Sequence, residues 1–485
     1  MRIDAMFRTA GLALAFALTL AACGGGGGDS AAPAAGGGGG ADTQAPTVAL
    51  TAPADFSAAL AGTLTLTATA ADDVGVTGVE FQVDGVAVGA IAASAPYRAT
   101  VDTSLYASGQ HVVRARSFDA AGHASNWDSA TVSFAGSRTQ PAGFTRNETW
   151  VTGLSNATAM AQAGDGRIFV AQQGGALRVV KNGVLLATPF VQLAVDSNGE
   201  RGLLGVAPHP SFASNGWIYV YYTSTEGGSH NRISRFTANG DVAQGGSEVK
   251  LVNLPNLSSA TNHNGGALHF GTDGLLYLGV GDNANSAHAQ DLTSVFGKIL
   301  RFNDDGTIPS TNPFFTSGTV QASAVWAYGL RNPFTFAVQP GTGHLYINDV
   351  GESTWEEIDL GAAGANYGWP GSEGPDGLGA GITAPLFAYK HSATTPPGSG
   401  PGGFFTGIAI AGGSFYPSTG PFPAAYRGSY FFADFGSAFI ARLDLANNAV
   451  YAFGSVSGSP VDMLTGIDGA LYVLERDGIV RFSAP

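Results

Sequence analysis

Between residues 144 and 485 one short pattern recurs: a glycine, one further residue, then an apolar, an aromatic and an apolar position. It appears as Gly166-Arg167-Ile168-Phe169-Val170 and Gly216-Trp217-Ile218-Tyr219-Val220. It returns as Gly274-Leu275-Leu276-Tyr277-Leu278 and Gly343-His344-Leu345-Tyr346-Ile347, then with Tyr430-Phe431-Phe432 after Gly428 and Leu471-Tyr472-Val473 after Gly469. Most copies are followed by a second apolar run ending in a basic residue, as in Ile233-Ser234-Arg235, Ile299-Leu300-Arg301 and Ile479-Val480-Arg481. A strand pair repeated about six times predicts an all-β domain, a β-propeller of about six blades. A sandwich array or a solenoid would share the pattern. The spacing is uneven, with long insertions at 311–324 and 371–413, and loops of that length usually carry function.

Upstream, residues 42–136 alternate differently. Thr63-Leu64-Thr65-Leu66-Thr67 and Val79-Glu80-Phe81-Gln82-Val83 read as half-buried strands, with the turn dipeptide Asp84-Gly85 after the second. A further strand covers His111 to Phe118. This spacing predicts an immunoglobulin-like β-sandwich. The segment resembles the Ig-like modules of bacterial surface proteins and shows no catalytic cluster. Its expected role is spacer or adhesion module. Residues 137–143 read as a linker to the domain at 144–485.

The first 41 residues are targeting and tether. Arg2 and Arg8 precede an apolar stretch, 11–20, too short to span a bilayer. Leu20-Ala21-Ala22-Cys23 resembles the lipobox of bacterial lipoproteins, in which the cysteine is lipidated after cleavage. An ordinary signal peptide would leave Cys23 unmodified. Residues 1–23 are thus expected to be a lipoprotein signal peptide, and 24–41, rich in Gly and Ala, a flexible tether. The expectation is a cell-envelope protein held to the membrane by its lipid anchor only, in the outer membrane and facing the periplasm or the surface.

Composition narrows the partners. The chain has 485 residues, 71 of them glycine, and a net charge of −14, which argues against nucleic acid or an anionic membrane surface. A neutral small molecule is easier to accept. Cys23 is the single cysteine, so no intrachain disulfide forms. No glycine turn opens a helix in the manner of a dinucleotide site.

The candidate chemistry lies in Asn262 to Asp282, NHNGGALHFGTDGLLYLGVGD. Two apolar runs flank Thr272-Asp273-Gly274, which predicts a hairpin. In a hairpin His263 leads into one strand and Asp282 leaves the next, so both reach one sheet edge. A His and an Asp meeting there form an oriented general base, or merely cap the hairpin.

Further motifs carry a family resemblance. Glu200-Arg201-Gly202-Leu203-Leu204-Gly205 runs on to Pro208-His209-Pro210, and is followed by the HNGG at His263 and the GD at Asp282. Then come Leu330-Arg331-Asn332-Pro333, Asp349-Val350-Gly351, Trp355-Glu356-Glu357-Ile358 and Asn366-Tyr367-Gly368-Trp369-Pro370. This series resembles the glucose/sorbosone dehydrogenase family, whose soluble quinoproteins oxidise sugars with pyrroloquinoline quinone (PQQ). The resemblance implies a six-bladed propeller that oxidises aldoses using PQQ and Ca²⁺, with an electron acceptor other than NAD or oxygen. It implies His263 as general base, Asp282 as its orienting partner, and Arg331 with Asn332 at the quinone. Glu200 would contact substrate or cofactor, or else be a rim charge. Ca²⁺ would sit on the carbonyls of Gly351 and Glu352, with a second ion near Glu357 and Tyr367. The family's lysine and two arginines for the PQQ carboxylates have no counterpart near Gly436 or in Gly458-Ser459-Pro460-Val461. Lys390, Arg442, Arg476 or Ca²⁺ would have to serve. Two other readings share the fold: a sugar-binding or adhesion propeller without redox chemistry, as in hedgehog-interacting-protein-like relatives, and a calcium-dependent lactonase-type hydrolase.

Overall fold

The computed structural model describes residues 42–484 except 56, 58–59, 61, 84–85, 104–108, 135–140, 142, 316–319 and 392–405. The signal segment, the tether, Cys23, the Asp84-Gly85 turn and most of the 137–143 linker lie outside the described residues. The protein is almost entirely β, and no helix of the described residues is long and apolar enough to cross a membrane.

The first unit is a two-sheet sandwich. Thr47–Ala52, Thr63–Ala71 and Tyr97–Asp102 form one sheet; Val76–Val83, Val86–Ala87, Gly109–Asp119 and Asp128–Phe134 form the other. Alternation drives it. Leu66, Phe81, Val113 and Val132 point into one shared core, while the residues between them meet solvent or polar neighbours.

The second unit holds six antiparallel sheets. Their first strands are Ala157–Gln162, Leu203–Pro208, Leu268–Phe270, Pro333–Val338, Ile410–Phe415 and Pro460–Thr465. Each first strand touches the next, and Pro460–Thr465 touches Ala157–Gln162 again. Between these last two, the Asp462 carboxylate accepts the Met160 N–H at 2.7 Å. The recurring apolar–aromatic–apolar triplets are the second strands, among them Ile168–Gln172, Leu276–Val280 and Leu345–Asp349. They are buried along their whole length because a neighbouring sheet covers each face.

The sheets have four or five strands rather than the two that the repeat displays. Outer strands such as Val184–Leu185 and Val242–Ala243 are short and half exposed, so they carry no apolar period. The 371–413 insertion contains one of them, Phe387–Lys390, which completes the fourth sheet, and the 311–324 insertion ends in the helix Val320–Ala324.

The sixth sheet takes its outer strand from the start of the unit. Thr145–Thr152 pairs antiparallel with Gly478–Ser483. Just ahead of it, Phe144 is buried edge-on against Phe422 and Phe453, with centroids 4.7 and 5.2 Å away. A shortened chain beginning at Gly143 is therefore expected to remain soluble, with a single cooperative melt and a β-type circular dichroism spectrum. One beginning at Gly153 lacks both Phe144 and the outer strand, and is expected to melt lower or aggregate. Equal behaviour of the two would mean that the Thr145–Thr152 strand contributes nothing to the fold.

Candidate active site

The hairpin is observed as Leu268–Phe270 paired with Leu276–Val280, so His263 enters and Asp282 leaves at one edge of the third sheet. The His263 Nδ1–H donates to Asp282 Oδ1 at 2.7 Å, and both residues are buried. This bond fixes the tautomer that leaves Nε2 as an acceptor, and Nε2 makes no hydrogen bond among the described residues. Asp282 is itself held from three sides. Its Oδ1 also accepts the Ala284 N–H at 2.8 Å, its Oδ2 accepts the Trp369 indole N–H at 2.9 Å, and its own N–H donates to Arg331 O at 2.8 Å.

The backbone around the pair is unusual. His263, Asn283 and Ala284 all have left-handed φ, at 57°, 55° and 55°. Side-chain residues enter that region at a cost, and such strain concentrates at functional sites. Gly265 explains part of the HNGG motif. Its φ is +67°, and a Cβ there would fall on Gly279 O of the adjacent strand.

Glu200, Arg331 and Asn332 converge on the same place. Glu200 Oε2 accepts the His263 backbone N–H at 2.7 Å. Burial pushes the Glu200 carboxyl above the ordinary carboxylate range, and the His263 backbone N–H and the Arg331 charge pull it partly back. The Asn332 side-chain oxygen accepts the Gly265 N–H at 3.0 Å. The Arg331 Nη1–H donates to Val350 O at 3.1 Å, and the guanidinium lies 5.7 Å from the Trp369 ring. Arg331 Nε is buried with no hydrogen-bond partner among the described residues, an unsatisfied donor of the kind that calls for an explanation.

Behind Arg331 lies a group of acids. Asp349 accepts the N–H groups of Arg331 at 2.9 Å and Asn332 at 2.7 Å. It stands directly opposite Glu357 in the fourth sheet, and Asp349, Glu357 and Asp359 form one buried cluster. Burial pushes the Asp349 carboxyl up to about 7. Burial, and then the neighbouring carboxylates, push Glu357 and Asp359 up as well.

The structure thus brings Glu200, His263, Asp282, Arg331 and Asn332 together. Glu357 stands beside them, in the cluster with Asp349. Tyr367 is buried, and its hydroxyl is engaged with Leu360 O at 2.8 Å and the Ala362 N–H at 3.1 Å. Gly351 and Glu352 lie on the loop after Leu345–Asp349, where Glu373 accepts the N–H groups of residues 352 to 355. Of the cations that the sequence offered for carboxylates, Arg442 points the wrong way. Its guanidinium meets Ser429 and Asp444, at the end of the fifth sheet away from Asp434. Sequence reading passed over Trp369 as a ligand of Asp282, although it sits in the quoted NYGWP motif. It also quoted Asp349 only within the Asp349-Val350-Gly351 motif and passed over Asp359, although Glu357 and Asp359 are two apart on one strand and so share a face.

Residues 154–481 match the Glucose / Sorbosone dehydrogenase family, and residues 46–115 match the Bacterial Ig domain family. The first match spans more than half of the chain, and the protein belongs to the glucose/sorbosone dehydrogenase family. It is 30% identical over 329 residues to the aldose sugar dehydrogenase YliI of Escherichia coli, covering 63% of this chain and 83% of that one. Among solved structures, the apo form of the soluble aldose sugar dehydrogenase from Escherichia coli superposes with a TM-score of 0.61 at 27% identity, covering 70% of this chain and all of that one. The PQQ-bound aldose sugar dehydrogenase from Streptomyces coelicolor gives a TM-score of 0.58 at 25% identity, covering 72% of this chain and all of that one.

Proposed function

We propose that the protein is a sugar oxidoreductase whose six sheets are the blades of a closed six-bladed propeller, and that it oxidises an aldose with PQQ and Ca²⁺. The observation that carries this reading is the buried His263–Asp282 pair, with no hydrogen bond on its ring nitrogen Nε2 among the described residues and with Asp282 joined to Arg331 through its own N–H. His263 Nε2 takes the proton of a sugar hydroxyl, and Asp282 stabilises the imidazolium that results. Arg331 remains charged at any working pH and would stabilise the developing negative charge, its buried Nε–H being without a partner among the described residues. Glu200 and Asn332 hold the His263–Gly265 backbone in register through its N–H groups.

The residues present fit a quinone oxygen at Arg331, because an orphaned buried donor there needs an acceptor. When bound, PQQ would supply the hydride acceptor. Arg331 and Asn332 would hold its reactive end. Gly436, where a cation was sought, donates its N–H to Asp434 and has Ile408 against its Cα, which leaves no room for a long side chain. Lys390 ends the outer strand of the fourth sheet and would take a carboxylate; Arg476 follows the strand Leu471–Glu475, and its guanidinium already donates to Ala157 O, Asn156 and Gln173. Ca²⁺ would add charge near Gly351, Glu352 and Glu357.

The test is direct. Adding PQQ and Ca²⁺ to the purified protein is expected to give a bound-quinone spectrum and aldose-dependent reduction of an artificial dye. If neither appears, the dehydrogenase reading fails, and sugar binding without dye reduction would mark a binding propeller instead.

The proposal extends to location. The mature chain begins at a lipidated Cys23, so the Ig-like unit and the propeller stand off the envelope on the 24–41 tether. One acyl chain anchors only marginally, so several on the same cysteine are expected. Mass spectrometry of the mature N-terminus is expected to show them; an unmodified end at another residue would rule the anchor out.

A further inference from the structure

Lys298 opens the strand Lys298–Phe302 of the third sheet, opposite Val280 on one side and Tyr328 on the other. Val280 stands two residues before Asp282, and Tyr328 three before Arg331. The lysine is fully buried. The three hydrogen bonds that its ammonium makes among the described residues all go to backbone carbonyls: His288 O at 2.7 Å, Phe296 O at 2.8 Å and Ala289 O at 2.9 Å.

Those carbonyls belong to the loop between Leu276–Val280 and Lys298–Phe302, and that loop touches both arms of the site. The His288 ring serves the Asp282 arm. Its Nδ1–H donates to Asp282 O at 2.9 Å, while Asn285 donates to its Nε2 at 3.1 Å. The neighbouring carbonyls serve the Arg331 arm. Ala289 O accepts the Gly329 N–H at 3.0 Å as well as the ammonium, and Gly297 O accepts the Leu330 N–H at 3.3 Å. The two arms meet where the Asp282 N–H donates to Arg331 O. Space is as tight as the bonding, since a Cβ on Gly297 would fall 2.7 Å from Leu330 O and 2.8 Å from Ala289 Cα. A buried ammonium is expensive. Burial pushes this one down to about 7, and the charges of Asp291 and Asp282 pull it partly back. Only the charged form satisfies the loop, because three acceptors need three N–H groups and a neutral amine offers two.

We propose that Lys298 is a positioning residue for the active site. Its ammonium gathers the loop so that His288 sets Asp282, and with it His263, while Ala289 and Gly297 set the turn before Arg331. The consequence for turnover rests on the oxidoreductase reading; the effect on the His263–Asp282 bond does not.

The experiment uses the full chain, and its first readout needs neither cofactor nor substrate. The His263 Nδ1–H, bonded to Asp282, gives a proton resonance downfield of the amides, identified by its loss in His263→Ala. In Lys298→Met, at a pH where the wild-type lysine is charged, this resonance is expected to shift or vanish. In the dye assay with PQQ, Ca²⁺ and an aldose, turnover is expected to fall at least about tenfold with KM within about twofold, since a misplacement of roughly 1 Å costs about 10²-fold. His288→Phe leaves Lys298 in place and keeps a ring against Phe296, on which His288 stacks at 5.2 Å. It removes only the N–H on Asp282 O, so the resonance is expected to shift there too. This variant carries the test if Lys298→Met fails to fold. A folded Lys298→Met with the wild-type resonance or the wild-type turnover would overturn the proposal and leave the dehydrogenase reading standing. An unmoved resonance in His288→Phe would overturn it as well. A wild-type chain that reduces no dye would overturn the dehydrogenase reading and the expected loss of turnover with it, while the resonance would still report whether Lys298 sets the pair.

Discussion

His263→Ala is expected to lower the turnover of aldose-dependent dye reduction by about 10²–10⁴-fold, the usual loss when a general base is removed. The fold should survive, because the backbone contacts of His263 do not use its ring. Glu200 still receives the residue-263 N–H, and the Asn283 N–H still reaches the residue-263 carbonyl at 3.2 Å. Asp282→Asn is expected to cost less. The imidazole remains, but an amide cannot accept the Nδ1–H, the Ala284 N–H and the Trp369 N–H as a carboxylate does. Arg331→Lys should also be damaging, since an ammonium cannot reproduce the planar donor set that places Nη1 on Val350 O and keeps a second donor, Nε, free of partners among the described residues. Circular dichroism and melting separate these effects from unfolding. If His263→Ala keeps its turnover within about twofold, well outside the range for a lost base, His263 is not the base.

Gly281→Ala is the second large effect, and it acts through backbone. A Cβ at Gly281 falls on the carbonyl of His263 and 2.6 Å from the Asn332 side-chain oxygen. Neither atom yields easily. The His263 carbonyl belongs to a left-handed turn, and the Asn332 oxygen is bonded to Gly265 N–H. Overpacking of this kind typically costs about 1–3 kcal/mol. The larger loss should be in activity, since a misplacement of roughly 1 Å at a reacting group costs about 10²-fold. Gly164→Ala is the control, with nothing within 4 Å of its Cβ and no left-handed φ. If the two variants melt and turn over alike, the close approach of Gly281 to His263 has no consequence for the site.

Much of this architecture could be read from residues. The six buried second strands announce themselves, because a strand covered on both faces must be apolar throughout. The outer strands do not, because short half-exposed strands obey no period. The His263–Asp282 pair was legible from hairpin geometry, as one residue precedes and the other follows the paired strands. Trp369 was not. It reaches Asp282 from the loop between the third and fourth strands of the fourth sheet, 87 residues along the chain, and no local spacing encodes that contact. The acid cluster falls between the two cases. Glu357 and Asp359 share a face by alternation, but Asp349 joins them only through the strand register.

The pairing of Thr145–Thr152 with Gly478–Ser483 sets a timetable for synthesis. The outer strand of the sixth sheet leaves the ribosome first, and its partner about 330 residues later, which at roughly 5–20 residues per second is a delay on the order of 15–70 seconds. For that interval an edge strand waits with its N–H and C=O groups unpaired, a state prone to wrong pairing. Its sequence is suited to waiting. Thr145-Arg146-Asn147-Glu148-Thr149 alternates exposed and half-buried polar residues, and the apolar positions Trp150 and Val151 come only at the far end. Five sheets can form as they are made, but the sixth is complete only when the strand that has waited longest finds its partner.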